Sequence, residues 1–335
     1  MTESKGDGPL TVGKTTVLPG KSKRFDLEFA RLPTGTWESL PIALVNGRKP
    51  GPLVWISGAV HGDEINGVEI TRRVLKQLDA RKMAGAVIAI PIVNVLGFLN
   101  SSRYLPDGRD LNRSFPGSRR GSLASRLAHL FSREVIAKCD VGIDLHTAAG
   151  HRTNAPQIRA NLDDPATVEL ARAFGARFLI HAKVRDGSIR QAATEMGIKV
   201  LLYEAGQVNR FDERCIQLGV EGVLRTLQSL GMGDWEINPA AEAPVFTRKT
   251  TWVRAGRSGI ANLDVGLADE VAEGDRIGAI GDALGGRPTR IRATTSGFVI
   301  AKTQTPLVAQ GDALVHLAVP GAEGRDEPAE RRRRR

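Results

Sequence analysis

Three side chains of this sequence could meet on one metal ion: His61, Glu64 and His146. The first two lie in Gly58-Ala59-Val60-His61-Gly62-Asp63-Glu64, directly after the apolar run Pro52-Leu53-Val54-Trp55-Ile56. An apolar run that ends in small residues and is followed by helix-periodic sequence reads as a strand whose C-terminal end carries a functional loop. An imidazole in the turn and a carboxylate three residues on, in the first helical turn, can then converge on a single cation such as Zn²⁺. His146 closes a second β-branched run, Val141-Gly142-Ile143-Asp144-Leu145-His146-Thr147. It can arrive on a neighbouring strand, leaving a fourth coordination position for water. Alone, His-x-x-Glu is a weak pattern that many proteins carry without a metal.

The surrounding motifs give it weight. Between the candidate ligands lies Arg109-Asp110-Leu111-Asn112-Arg113-Ser114-Phe115-Pro116-Gly117, and after them comes Tyr203-Glu204-Ala205-Gly206. Residues 94–121 are too long for a mere connection, and such loops are usually functional or disordered. Arg103, Arg109, Asn112 and Arg113 supply planar donor groups suited to bidentate carboxylate recognition. Glu204 ends an apolar strand-like run, so its carboxylate is either buried at a cost or held at the mouth of a site.

In their order, His61-Gly62-Asp63-Glu64, Asp110-Leu111-Asn112-Arg113 and Asp144-Leu145-His146-Thr147 resemble the succinylglutamate desuccinylase/aspartoacylase family, relatives of the zinc carboxypeptidases. The likeness runs from about Leu53 to about Gly231. It implies an α/β fold, a zinc-carboxypeptidase-like α/β/α mixed sheet, with a C-terminal all-β barrel-sandwich module lying against it and narrowing access. It also implies one Zn²⁺ per chain held by His61, Glu64 and His146, lowering the pKa of its water to ~7. Glu204 becomes the general base and acid, and Asn112 and Arg113 bind the substrate α-carboxylate. Arg103 polarises the scissile carbonyl. The family varies in the segment before Asn112, so Arg109 is the alternative for that task. Asp110 then buttresses the loop, and Asp144 orients an imidazole. The implied reaction is hydrolysis of the amide bond of a small N-acyl amino acid. A carboxypeptidase-like zinc peptidase on the same site is an alternative, and a non-catalytic binding protein on the same scaffold is another. Retention of all three ligands with Glu204 argues against the last.

The elements that must position these groups can be read from periodicity. A helix is expected where Ile65, Val68, Val74, Leu75 and Leu78 form one stripe, then a strand over Ala86–Val93. A helix follows over Leu123–Ile136, and the His146 strand comes next. Pro165–Phe174 and Ile189–Met196 read as helices, Arg177–Val184 and Ile198–Glu204 as strands, and Phe211–Leu230 as a long amphipathic helix. Leu10–Leu44 reads as short strands broken by Gly20, Pro33, Gly35 and Pro41. His129 and His181 are assigned structural roles, and His151 is a rival ligand off the family pattern.

Pro239–Pro244 is the expected domain boundary, dividing a catalytic domain, 1–240, from an all-β domain, 245–320. The hairpin Gly281–Arg287, where a carrier module would hold its lysine, has none. The 335 residues carry a net charge of +10, with five positive charges in Arg331–Arg335 at the end of an expected disordered tail, 321–335. Few aromatics interleave with the basic residues, which argues against nucleic-acid binding. The excess charge can steer anionic substrates instead. No apolar stretch approaches the ~20 residues that cross a bilayer, and Met1–Gly8 shows no signal-peptide core. No membrane partner and a cytoplasmic location, with Cys139 and Cys215 reduced, are therefore expected. Homo-oligomerisation is left open.

Overall fold

Alternate residues of the central strands face opposite ways, and two apolar cores result. Leu53 and Trp55 of the strand Lys49–Gly58 pack with Leu127 and Phe131, whereas Val54 and Ile56 pack with Ile70, Val74 and Phe174. Helices Asn66–Gln77, Pro165–Phe174 and Glu213–Ser229 supply the core on one face, and Leu123–Glu134 and Ile189–Glu195 the core on the other. The strand Val141–Ala148 is buried at every position, as a parallel strand between two helical layers must be. The α/β fold expected from the sequence is thus formed. The computed structural model describes residues 8–240, 242–286 and 288–321.

The main sheet runs in the order Lys21–Arg31, Trp37–Asn46, Ala84–Ile90, Lys49–Gly58, Val141–Ala148, Lys199–Gln207 and Arg152–Ala160. Its middle four strands are parallel and its flanking pairs antiparallel. Caps fix the helices between them. Asp164 accepts from Thr167 N at 3.0 Å ahead of Pro165, and Gly175, at φ 80°, ends the same helix; this is the usual division of labour between the two ends.

The N-terminal third departs from the sequence reading. After a hairpin of Leu10–Val12 with Thr15–Val17, it forms two long strands rather than several short ones. Pro41 sits within Trp37–Asn46 opposite Asp26, but the strand's other edge is paired only from Ala43 onward. That open edge tolerates a residue with no N–H to give. The strand expected over Arg177–Val184 is confined to Phe178–His181, and Lys183 and Val184 are exposed beyond it.

Past residue 244 all regular structure among the described residues is strand. The main sheet continues without interruption: Gly297–Thr303 pairs antiparallel with Arg152–Ala160, Ala301 opposite Asn154 and Thr303 opposite Arg152. Ala313–Val319 and Lys249–Arg254 follow. A second, four-stranded sheet built from Thr289–Arg292, Arg276–Gly281, Gly259–Leu263 and Leu307–Val308 shares an apolar core with it, including Val253, Ile277, Val299 and Leu314. We keep the division at residues 240–245 as a proposal about folding units, since a hydrogen-bonded sheet crosses it. Ala241, Arg287 and residues 322–335, including the Arg331–Arg335 run, lie outside the described residues, as do residues 1–7. No helix among the described residues is long and apolar enough to cross a membrane.

Candidate active site and metal centre

Three adjacent parallel strands bring the chemistry together at their C-terminal ends, where α/β sheets commonly bind ligands. In register, Gly58 lies opposite Leu145 and Glu204 opposite His146. The chain leaves Gly58 through Ala59, whose φ of 44° is the left-handed conformation that non-glycine residues seldom adopt. Val93 N and Asn94 N donate to the carbonyls of Gly58 and Ala59 at 3.0 and 2.9 Å and hold the turn. At Gly62 a Cβ would lie 2.0 Å from Gly97 C, so only glycine lets this loop settle on the short helix Val95–Leu99. The turn aims His61 and Glu64 at His146.

Glu64 is the hub. Its Oε1 lies 2.7 Å from His61 Nδ1 and its Oε2 2.7 Å from His146 Nδ1, and all three residues are buried. Their ligand atoms lie within 4.8 Å of one another. Each imidazole has its other nitrogen beside an aspartate: His146 Nε2 is 2.8 Å from Asp144 Oδ2, and His61 Nε2 is 3.2 Å from Asp110 Oδ1. An ionised aspartate only accepts, so Nε2 carries the hydrogen and Nδ1 of a neutral ring is left as a bare acceptor. Two bare acceptors facing carboxylate oxygens at 2.7 Å require positive charge among them. Either each ring takes a proton, or one cation serves all three. The donor set of two imidazoles and a carboxylate suits zinc, and the aspartates supply the orienting partners such ligands need.

The electrostatics follow from that arrangement. Burial lowers the pKa of the His146 imidazole, but Asp144 and Glu64 outweigh it and hold the group well above its ordinary value. His61 is likewise raised, burial being outweighed by Glu64 and Asp110. Burial pushes the Glu64 carboxyl up, yet the two imidazoles bring it far below the usual range.

One cavity of 540 Å³ is lined by His61, Glu64 and His146 and also by Arg103, Asn112, Arg113 and Glu204. Arg103 donates to Glu64 Oε1 at 3.2 Å and to Asp110 Oδ2 at 3.0 Å. Asn112 receives Ile189 N on its amide oxygen at 2.9 Å, so its amide nitrogen is the group it can offer. Arg113 lines the cavity while its Nη1 donates to the Asn112 carbonyl. Glu204 is partly exposed, and desolvation at this end of the strand raises its pKa, although Arg159 opposes the shift. Its Oε2 accepts from Asn154 Nδ2 at 2.6 Å.

Arg109 is not brought to the cavity. Its side chain is mostly exposed and pairs with Asp107. His151 is exposed on a turn, and His129 lies outside the cavity. His181 borders it while its Nδ1 accepts from Leu162 N. The sequence reading missed Asn154, Arg159, Arg190, Trp252 and His316, which all line the cavity. The signal for His316 was a lone imidazole in the apolar run Ala313–Val319.

The profile of the succinylglutamate desuccinylase/aspartoacylase catalytic domain matches residues 50–230, more than half of the chain. The chain belongs to this family. N-alpha-acetyl-L-2,4-diaminobutyric acid deacetylase of Halomonas elongata is 28% identical over 309 residues, which cover 87% of this chain and 90% of the relative. A succinylglutamate desuccinylase/aspartoacylase crystal structure from Rhodobacter sphaeroides is 25% identical with a TM-score of 0.82, over 93% of this chain and 100% of that one. The product-bound ectoine utilization protein EutE (DoeB) of Ruegeria pomeroyi shares the fold, at 24% identity and a TM-score of 0.80, over 93% and 99% of the two chains. The desuccinylase/aspartoacylase fold therefore extends over the C-terminal strands as well as the catalytic sheet. The activities named for the family and for the Halomonas elongata relative are deacylations of amides.

Proposed function

We propose that this family member is a metal-dependent deacylase that hydrolyses the amide bond of a small N-acyl amino acid, with His61, Glu64 and His146 holding one Zn²⁺. The observation that carries the reading is the convergence of these three residues with Glu204, Asn112 and Arg113 on one cavity. When bound, zinc supplies Lewis acidity and lowers the pKa of water to ~7.

The chain's own groups supply the rest. Glu204 takes the proton of the attacking water and returns it to the leaving amine, a role favoured by a carboxyl whose pKa is raised toward neutrality. Asn154 holds Oε2 of that carboxylate, which leaves Oε1 for proton transfer. Arg103 faces the site from beside Glu64 and can offset charge developing on the carbonyl oxygen, where one preorganised donor is worth roughly 3 kcal/mol. Asn112 and Arg113 anchor the substrate α-carboxylate and fix the line of attack. The products are a carboxylate and a free amino acid.

The test is release of primary amine from a panel of N-acyl amino acids and from long peptides, before and after chelation and zinc restoration. Amine release from the small substrates that chelation abolishes and zinc restores is the expected result. Equal or better cleavage of the peptides would transfer the site to a peptidase.

A further inference from the structure

The strand that brings Asn154 to Glu204 carries a second amide on the same side. In Arg152–Ala160, Ile158 and Ala160 enter the core with Phe174 and Tyr203, whereas Arg159 lines the cavity. Side chains alternate along a strand, so Gln157 takes the cavity side with Arg159. In register it lies directly opposite Glu204, as Arg159 lies opposite Leu202, and both of those partners line the cavity. Opposed residues of an antiparallel pair share one face, with Cβ atoms roughly 5 Å apart.

Regular alternation would turn Asn154, three residues from Gln157, to the other face. The pairing prevents this by shifting: Glu204 is opposite Gln157 but Gly206 is opposite Asn154, so two steps on one strand match three on the other. The extra residue falls at Ala155-Pro156. Such a bulge re-aims side chains, and a proline, with no N–H to leave unpaired, suits it. The bulge thus turns both amides of this strand toward one carboxylate.

Asn154 is bonded to that carboxylate, Nδ2 to Oε2 at 2.6 Å. Gln157 is 0% exposed, and among the described residues neither its Oε1 nor its Nε2 has a hydrogen-bond partner. On its other side it is opposite Phe178, which belongs to an apolar cluster with Ala155, Ile180 and Ile300. A buried amide left unpaired costs stability, and an apolar side chain of similar shape would not incur that cost. Glu204 Oε1 is the complementary group, since Arg159 Nε stands 4.0 Å from it, too far for a hydrogen bond.

We propose that Gln157 is a positioning residue for Glu204: its amide turns onto Oε1, as Asn154 holds Oε2, and fixes the plane of the carboxyl for proton transfer. This rests on the deacylase reading above and deepens it. An ionised carboxylate oxygen has two lone pairs, so Oε1 accepts from Gln157 Nε2 and still takes the proton of the attacking water. A neutral donor orients the base without the fall in basicity that a paired guanidinium imposes.

Gln157→Met tests this by replacing the amide with an unbranched apolar chain of similar size. The zinc-loaded variant should have a denaturation midpoint at or above that of wild type. Its kcat on a small N-acyl amino acid should be about tenfold to hundredfold lower with KM unchanged, and Gln157→Asn, which keeps a shorter amide, should recover part of the loss. The effects should also be non-additive, Gln157→Met combined with Glu204→Gln being no slower than Glu204→Gln alone. A wild-type kcat in Gln157→Met overturns the proposal, and so does an equal fall in both backgrounds, which a merely structural role would give. A destabilised or unfolded Gln157→Met, repeated in Gln157→Leu, would assign the amide to the fold and overturn it too. If no N-acyl amino acid is hydrolysed, the deacylase reading fails, and the carbon NMR resonance of the Glu204 carboxyl, identified by its loss in Glu204→Gln, decides the positioning separately. A displaced resonance in Gln157→Met would support it, and an unmoved one would overturn it.

Discussion

Replacing Asp144 by Asn should weaken metal binding without unfolding the protein. Asp144 is 1% exposed and lies in a chain of hydrogen bonds that begins at the buried Trp55 indole. Trp55 Nε1 donates to Ser57 Oγ at 3.3 Å, Ser57 Oγ donates to Asp144 Oδ1 at 2.7 Å, and Asp144 Oδ2 receives His146 Nε2 at 2.8 Å. Asparagine has the same shape but only one acceptor oxygen. If that oxygen stays with His146, the new NH₂ group faces Ser57 Oγ and the serine hydroxyl loses its acceptor, at a cost of about 1–3 kcal/mol to stability. If the amide turns over, its NH₂ meets His146 Nε2 and the hydrogen moves to Nδ1, the nitrogen that faces Glu64 and would bind the proposed metal. The first orientation already removes the negative partner that strengthens the ligand, so affinity should fall about 10- to 100-fold, or about 1.4–2.7 kcal/mol. Competition for Zn²⁺ against a chromophoric chelator, with circular dichroism as the folding control, measures it. Asp110→Asn is the comparison, expected to cost less because Asp110 also faces Arg103 and is partly exposed. Wild-type affinity in Asp144→Asn would refute the argument that the aspartate sets the His146 tautomer.

Four further outcomes can be checked. Glu204→Gln should lower kcat about 10²- to 10⁴-fold with metal content unchanged, and a fully active variant would remove the general base. In the metal-free protein the raised imidazole pKa values contribute stability that is fully present below the ordinary value of 6.5 and is lost as pH rises through the raised values; Tm of the apo form should fall above pH 6.5 while that of the zinc-loaded form does not follow. Gly62→Ala would place its Cβ 2.0 Å from Gly97 C and 2.2 Å from Phe98 N, both backbone atoms; a loss of about 1–3 kcal/mol in chemical denaturation is expected, together with lost activity. Truncation after Ala240 should give an aggregating, inactive chain, seen by light scattering, because it opens the Arg152–Asn154 edge and bares Ala155, Phe178 and Ile180.

The narrowing of access implied by the family resemblance carries a different expectation, that losing the module widens the substrate range provided the shortened chain stays soluble, and the shared sheet removes that condition. The difference lies in pairing partners. Hydrophobic periodicity located the His146 and Glu204 strands because each is a short apolar run with a polar residue at its end. It could not reveal that Ala301 pairs with Asn154, because register between strands about 150 residues apart is a property of the folded sheet. The convergence of His61, Glu64 and His146 was legible because the spacing on one turn and the position at strand ends are local features. Arg159, Arg190 and His316 were not, since what distinguishes each is an unsatisfied buried nitrogen, which exists only once distant elements have closed around it. Arg109 shows the converse. Its place in an Arg- and Asn-rich loop suggested carboxylate recognition, but Asp107 two residues away draws its guanidinium toward solvent.

The sheet that runs from Arg152–Ala160 into Gly297–Thr303 also sets the order in which the protein acquires its properties during synthesis. All three candidate ligands and Glu204 have been translated by residue 204, whereas Trp252 and His316 reach the site only when the last strands dock. A ribosome-stalled chain ending before Ala313 is expected to hold a complete ligand set in a site still open to water, and its metal content would reveal whether loading precedes closure. Closure of the cavity would then be the last step to follow translation, coming only after the groups it encloses are already in place.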